Sequence, residues 1–269
     1  MYFKDFLNKN SKTLIMGILN ITPDSFYDGN KYFDSNLNKK FSELNNKCDI
    51  IDVGAESSRP GANPILEEDE KNRISKSFKF LVNKSKYYSV DTYKPSVASF
   101  CIENGFNMIN DIKGGSNRDM FDVASNYKVP IILMHMQGNP INMQEEPKYD
   151  NIVDDLKSFF EKRINTAIKH GVNPKNIIID PGIGFGKTIA QNDQIINSIS
   201  KFKDFGSPIL IGLSRKSFLT YKSNEPKDRL ESSLAVSAIA INNGADIIRV
   251  HDIEKTIEVF SIIDRILNR

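Results

Sequence analysis

Polar side chains in this sequence gather just after short apolar runs, and their types divide into two chemistries. Asp91, Asn110 and Asp180 supply two carboxylates and an amide. They suit a planar heterocycle with ring N–H and exocyclic amine groups, because a carboxylate accepting two such donors makes a charge-assisted, bidentate contact. Asn20, Ser58, Arg59, Arg249 and His251 suit an anion instead. Guanidinium forks match phosphate oxygens, and a hard carboxamide oxygen matches Mg2+. Lys216 could serve either group. A heterocycle pocket adjoining a diphosphate pocket implies a substrate carrying both, with pyrophosphate as leaving group. No positioned Ser–His–Asp set or reactive thiol is evident, which argues against covalent acyl chemistry.

Each residue also has a plainer reading. Asp91 before Thr92, and Asp180 before Pro181, could be turn or helix-cap residues. Asn20 could form a turn, His251 could be a satisfied surface histidine, and Arg249 could pair with Asp252. Phe185 could be core filler. The run Gly182-Ile183-Gly184-Phe185-Gly186-Lys187-Thr188 looks like a phosphate loop, but Pro181 stands where the Walker pattern needs its first glycine. The dinucleotide glycine fingerprint fails on spacing as well. The glycines are better read as backbone freedom for a close approach to a flat ligand.

What brings these residues together is their common position. Short, nearly continuous apolar runs at 14–19, 50–53, 87–90, 108–109, 131–134, 177–179, 209–211 and 247–250 read as strands covered on both faces. Segments of helical period lie between them, at 35–47, 67–83, 95–104, 119–127, 151–170, 193–201, 228–243 and 254–267. Eight strand–helix units in a chain of 269 residues favour a closed parallel (β/α)8 TIM barrel, a single domain over 1–269, above a doubly wound open sheet. In such a barrel the residues after each strand converge on one mouth, where active sites lie.

Bulk properties exclude other classes. With 36 basic and 34 acidic residues interspersed, the chain lacks the clustered basic excess of a nucleic-acid binder. No stretch reaches the ~18 apolar residues of a membrane span, and the N-terminus lacks a signal-peptide core, so the cytoplasm is the expected compartment. Cys48 and Cys101 have no metal-ligand spacing and read as small buried hydrophobes.

Several longer stretches carry a family resemblance. Met16-Gly17-Ile18-Leu19-Asn20-Ile21-Thr22-Pro23-Asp24-Ser25-Phe26 and Asp180 through Thr188 resemble the two signature stretches of dihydropteroate synthases. Ser89-Val90-Asp91-Thr92, Ile109-Asn110-Asp111, Leu133 through Gly138, Gly212 through Ser217 and Arg249-Val250-His251-Asp252 follow in family order. The resemblance implies condensation of 6-hydroxymethyl-7,8-dihydropterin pyrophosphate with p-aminobenzoate to give 7,8-dihydropteroate and pyrophosphate. It implies that Asp91, Asn110, Asp180 and Lys216 hold the pterin, that Met134 and Phe185 line its pocket, and that Arg249 packs on its face. Asn20 would bind Mg2+, while Ser58, Arg59, Arg249 and His251 would bind pyrophosphate. Phe26, Pro60, Lys216 and Ser217 would form the p-aminobenzoate pocket, and the loops at 22–31 and 56–64 would close over the substrates. Homodimers through outer helices are common in the family. The loop Gly54-Ala55-Glu56-Ser57-Ser58-Arg59 departs from the family, which usually has a second glycine and then threonine before arginine. Two alternatives stand beside this reading: a methyltetrahydrofolate–corrinoid methyltransferase barrel, and a catalytically silent pterin-binding regulator.

Overall fold

The computed structural model describes residues 1–22, 33–59, 61–83, 85–220 and 225–269, without the side chains of 33–35. The expected p-aminobenzoate residues Phe26 and Pro60, and most of the loop at 22–31, lie outside the described residues. The elements alternate as the hydrophobic pattern requires: α1 (Phe3–Asn10), β1 (Leu14–Asn20), α2 (Phe33–Lys47), β2 (Ile50–Gly54), α3 (Glu67–Ser75), β3 (Tyr87–Asp91), α4 (Pro95–Glu103), β4 (Met108–Asp111) and α5 (Asp119–Asn126). Then follow β5 (Ile131–Met134), α6 (Ile152–Lys169), β6 (Ile177–Asp180), α7 (Ile189–Asn197), β7 (Leu210–Gly212), α8 (Leu230–Asn242), β8 (Ile247–Val250) and α9 (Ile253–Ile266).

All the strand pairs are parallel, in the order β6-β5-β4-β3-β2-β1-β8-β7. A bridge between Ile179 and Ile209, with Ile179 N–H donating to Pro208 O at 3.0 Å, joins the two ends and closes the barrel. Closure removes the open edges a sheet would otherwise expose.

Side chains alternate along each strand, so one set points outward and the other into the barrel. The outward set, from Ile15 to Val250, packs beneath the helices as one continuous core. The inward set begins with an apolar layer of Leu14, Met16, Ile50, Met108, Ile132, Ile178, Leu210 and Ile247. Helix α1 plugs this end: Phe3 is fully buried, and Phe3 and Phe6 meet Tyr87 edge-on at 5.1 and 5.0 Å. Tyr2 offers no side-chain cap; Asn176 Oδ1 instead accepts from Phe3 N–H at 3.0 Å. At eight residues α1 is too short to be stable alone, so its existence rests on these tertiary contacts.

Helix α1 is not among the expected helices, and two of those that are differ from expectation. The segment 67–83 is not one helix: α3 ends at Ser75, and a short 3-10 turn follows at Phe78–Phe80. Ser77 Oγ donates to Ile74 O at 2.6 Å, a local bond that competes with continuation of the helix. Helix α7 starts at Ile189 rather than 193, because Thr188 and Gln191 form a reciprocal capping box. Among the described residues no helix is long and apolar enough to cross a membrane.

Candidate active site

One step further up β2, β4, β6 and β8, the barrel interior turns polar. Two residues beyond Ile50 stands Asp52; beyond Met108, Asn110; beyond Ile178, Asp180; beyond Ile247, Arg249. On β3 the inward series is Tyr87, Ser89 and Asp91, and Asp91 lies in register with both Gly54 and Asn110. The period of two therefore builds an apolar floor and a charged layer above it.

Arg249 organises that layer. Its Nε donates to Asp52 Oδ2 at 2.7 Å, and its Nη2 donates to Asp91 Oδ2 at 2.6 Å. Asn110 Nδ2 also donates to Asp52 Oδ2, at 3.1 Å. Asp52 is fully buried, and its Oδ1 has no partner. The hydroxyl of Ser89, its register neighbour, is unpaired too. Burial pushes the Asp91 carboxyl up, while the Arg249 guanidinium pulls it back. The Arg249–Asp252 pairing open in the sequence is not formed. Asp252 is instead gripped by Arg215, Nε to Oδ2 at 2.8 Å and Nη2 to Oδ1 at 2.6 Å.

Asp180 and Lys216 form a second pair of charges. Burial raises the Asp180 carboxyl, and the positive charge of Lys216 opposes the rise. Burial lowers Lys216 to about 8, with Asp180 opposing. Asp180 Oδ1 accepts from Gly182 N–H at 2.7 Å, so the turn-forming role open in the sequence coexists with its place at the mouth. Lys216 Nζ donates to Ile183 O and stands 4.4 Å from the Phe185 ring centroid, so Phe185 is no mere core filler. Met134 is the register partner of Asp180.

The glycine-rich stretch is a fold device. Gly182 has φ +67°, and a Cβ there would come within 2.0 Å of His135 O. Lys187, the would-be phosphate lysine, is buried and donates to Gly182 O and Phe185 O at 2.9 Å each, and to His135 O at 3.3 Å. Its Nζ also meets His135 Nδ1 at 3.1 Å. Spending its protons on those acceptors excludes a phosphate-loop role. Gln144 Nε2 donates to Gly184 O, and Tyr149 OH to Gly186 O, so the 144–149 segment packs onto this loop.

The anion-type residues sit at the rim. Asn20 ends β1 beside Gly54: a Cβ placed on Gly54 would lie 3.6 Å from Asn20 Oδ1 and 3.4 Å from Asp91 Cβ. Ser58 and the exposed Arg59 follow β2. Ala55 has no positive φ and its carbonyl accepts from Arg73 Nη1 at 3.0 Å, so the backbone does not need the glycine usual there. His251 Nδ1 meets Ser214 Oγ at 3.0 Å, tying the β7 and β8 ends together. Desolvation among the loop ends, and then the charges of Arg249, Arg215 and Arg59, lower the His251 pKa. Ser217, by contrast, is exposed at the start of a short 3-10 turn.

Sequence reasoning missed Asp52, Lys187 and the part played by Arg215. Asp52 had a signal: an acid inside an apolar strand is rarely buried without a partner. Lys187 and Arg215 carried none. Lys187 bonds the backbone carbonyls of Gly182 and Phe185 in its own loop and of His135, which no side-chain pattern announces. The Asp252 carboxylate is distant in the chain from Arg215.

Among the described residues no group of three His, Cys, Asp or Glu side chains could hold a metal. Asn20 offers a single hard oxygen at the rim. That donor set fits Mg2+, which commonly keeps its waters and takes one or two protein ligands plus substrate phosphate oxygens.

A family model of pterin-binding enzymes matches residues 16–251. The chain is 42% identical to the dihydropteroate synthase of Clostridium beijerinckii, over 99% of this chain and 98% of that one. The Yersinia pestis dihydropteroate synthase, solved with a sulfonamide drug, superposes with a TM-score of 0.88 at 36% identity, covering 96% of each chain. The Xanthomonas albilineans enzyme in complex with 7,8-dihydropteroate gives 0.83 at 30% identity, covering 95% of this chain and 94% of that one. Sequence and fold thus match along nearly the whole length of relatives sharing one name, and the chain belongs to the dihydropteroate synthase family of pterin-binding enzymes.

Proposed function

We infer that the protein condenses 6-hydroxymethyl-7,8-dihydropterin pyrophosphate with p-aminobenzoate, forming 7,8-dihydropteroate and pyrophosphate. The observation that carries this reading is the junction at one mouth of a buried acid–amide–guanidinium layer with a rim of anion-binding side chains, Arg59 among them. The heterocycle lies in the layer. Asp91, Asn110 and Asp180 accept from and donate to its edge, Lys216 supplies a further donor, Met134 and Phe185 bound the pocket, and Arg249 covers a face. The diphosphate lies at the rim with Ser58, Arg59, Arg249 and His251, and Asn20 supplies an oxygen to Mg2+. When bound there, the ion offsets charge on the leaving pyrophosphate.

The reaction is a dissociative substitution. The bond between the pterin methylene and the pyrophosphate oxygen breaks, and both its electrons leave with pyrophosphate. The methylene cation delocalises into the ring, where the carboxylates of Asp91 and Asp180 stabilise it electrostatically. The p-aminobenzoate amine then forms the C–N bond and releases a proton. Lys216 and Ser217 orient the amine's ring, with Phe26 and Pro60 as the further p-aminobenzoate residues the resemblance implies. The protein supplies orientation and field, with no covalent nucleophile. Release of pyrophosphate on mixing both substrates with Mg2+ and the protein tests the reading. Absence of release with pterin still bound would overturn it.

We also propose that the whole of 1–269 acts as one catalytic unit, a homodimer in the cytoplasm. Support for the unit is a core that runs from Ile15 to Phe260. Support for the dimer is the surface of α8 and α9, where Ile239, Ile262 and Ile266 are exposed. Sedimentation equilibrium at micromolar concentration checks it. Two buried, unpaired cysteines are consistent with a reducing compartment.

A further inference from the structure

The loop that carries Ser58 and Arg59 is anchored by a buried ammonium. Lys94 Nζ donates to Glu56 Oε2 and Glu70 Oε2 at 2.6 Å each, and to Ile65 O at 2.8 Å. Glu56 opens the loop and Ile65 closes it, and Ile65 N–H donates to the same Glu56 Oε2 at 3.0 Å. Both ends of a ten-residue loop therefore meet one nitrogen. Tyr93 OH donates to the other oxygen, Glu56 Oε1, at 2.7 Å. The side chains of Lys94 and Glu56 are only 11% exposed, and that of Glu70 1%. Lys94 also lies three residues past Asp91, on the same connection between β3 and α4. A cavity lined by Glu56, Ser57, Ser58, Asp91 and Tyr93 marks how near the loop's base stands to the β3 end.

Burying such a triad solely for stability would be a poor use of charge, since apolar residues of equal volume often do as well. Its geometry points elsewhere. Ser58 and Arg59 lie two and three residues beyond Glu56, so the direction in which Glu56 is held sets where they emerge. Pinning both ends also removes conformational freedom that the loop would otherwise lose on binding.

We propose that Lys94, with Glu56, Glu70 and Tyr93, is a positioning clamp that holds the Ser58–Arg59 loop in register with the pterin-binding end of β3 and so sets diphosphate affinity. The proposal rests on the reading that Arg59 contacts the diphosphate. Its test compares binding of inorganic pyrophosphate and of 6-hydroxymethylpterin, each with Mg2+, by calorimetry. The double variant Lys94→Met/Glu70→Gln removes one charge of each sign, so the net charge near the anion site is unchanged. It should weaken pyrophosphate about tenfold or more, as misplacement of a positioning group does. Pterin affinity should stay within about twofold. Tyr93→Phe keeps all three ions and should shift pyrophosphate affinity in the same direction by less. Equal loss for both ligands, or no loss for pyrophosphate, overturns the clamp. Should the double variant not fold, unchanged pyrophosphate affinity in Tyr93→Phe overturns it alone. Arg59→Ala is the control: retained pyrophosphate affinity there sinks the role of Arg59, and the proposal with it. Loss in Arg59→Ala without loss in the clamp variants sinks the clamp only.

Discussion

The guanidinium of Arg249 on β8 and the carboxylate of Asp91 on β3 stand 2.6 Å apart, although 158 residues separate them in the chain. Between those strands in the barrel lie β1 and β2, and Asp52 of β2 holds the same guanidinium by its Nε. A buried arginine with two carboxylates keeps its charge. A carboxylate shared with a ligand can then turn to that ligand without stranding the cation.

Asp52 is therefore expected to matter although the sequence offers it no motif. Asp52→Asn should lower stability by about 2 kcal/mol, the cost of weakening a charged hydrogen bond in a buried site. Urea unfolding at neutral pH measures it. A stability equal to wild type would show that Asp91 alone satisfies Arg249.

Asp180 is expected to hold the pterin edge. Asp180→Asn should lower kcat/KM by about a hundredfold to a thousandfold, because the amide loses the charge that stabilises the developing cation. Near-normal turnover would remove Asp180 from the mechanism. The Gly182 turn can survive the change, since the amide oxygen still accepts, so a melting curve close to wild type should accompany the loss.

Lys216 gives the reaction a pH limb. Burial lowers it to about 8, and a lysine carries its charge below its pKa. Activity depending on the cation should thus be full at pH 7 and fall as pH rises through 8. In Lys216→Arg the limb should move out of the measurable range, because guanidinium stays charged. A profile of kcat/KM against pH for both proteins decides the matter.

His135 should make the fold acid-sensitive. Desolvation and then the charge of Lys187 lower it to about 3, and its Nδ1 faces Lys187 Nζ, which requires the neutral ring. The unfolded chain takes up a proton near its ordinary pKa of 6.5 and the folded chain does not, so stability falls as pH drops from about 6.5 towards 3. The penalty is at most about 3 to 5 kcal/mol. In His135→Gln the difference between denaturant midpoints at neutral and acid pH should shrink. An unchanged difference would place the acid sensitivity in other groups.

The sequence by itself determined the architecture and the composition of the mouth. Runs such as Ile131–Met134 and Ile247–Val250 are apolar throughout because barrel strands are covered on both faces, and that pattern is local. The residues after each run are local too, so Asn20, Asp91, Asn110, Asp180, Lys216 and Arg249 could be assigned to one face by strand count alone. What only the tertiary structure decided is pairing. Arg249 meets Asp52 and Asp91 rather than Asp252, which Arg215 takes. Lys187 reaches the carbonyl of His135 beyond β5, and Lys94 gathers both ends of a loop. A charge finds its partner through the register and curvature of a closed sheet, which depend on contacts between distant strands. No periodicity within a segment encodes them, so the sequence tells which groups face the mouth and the fold decides which of them touch.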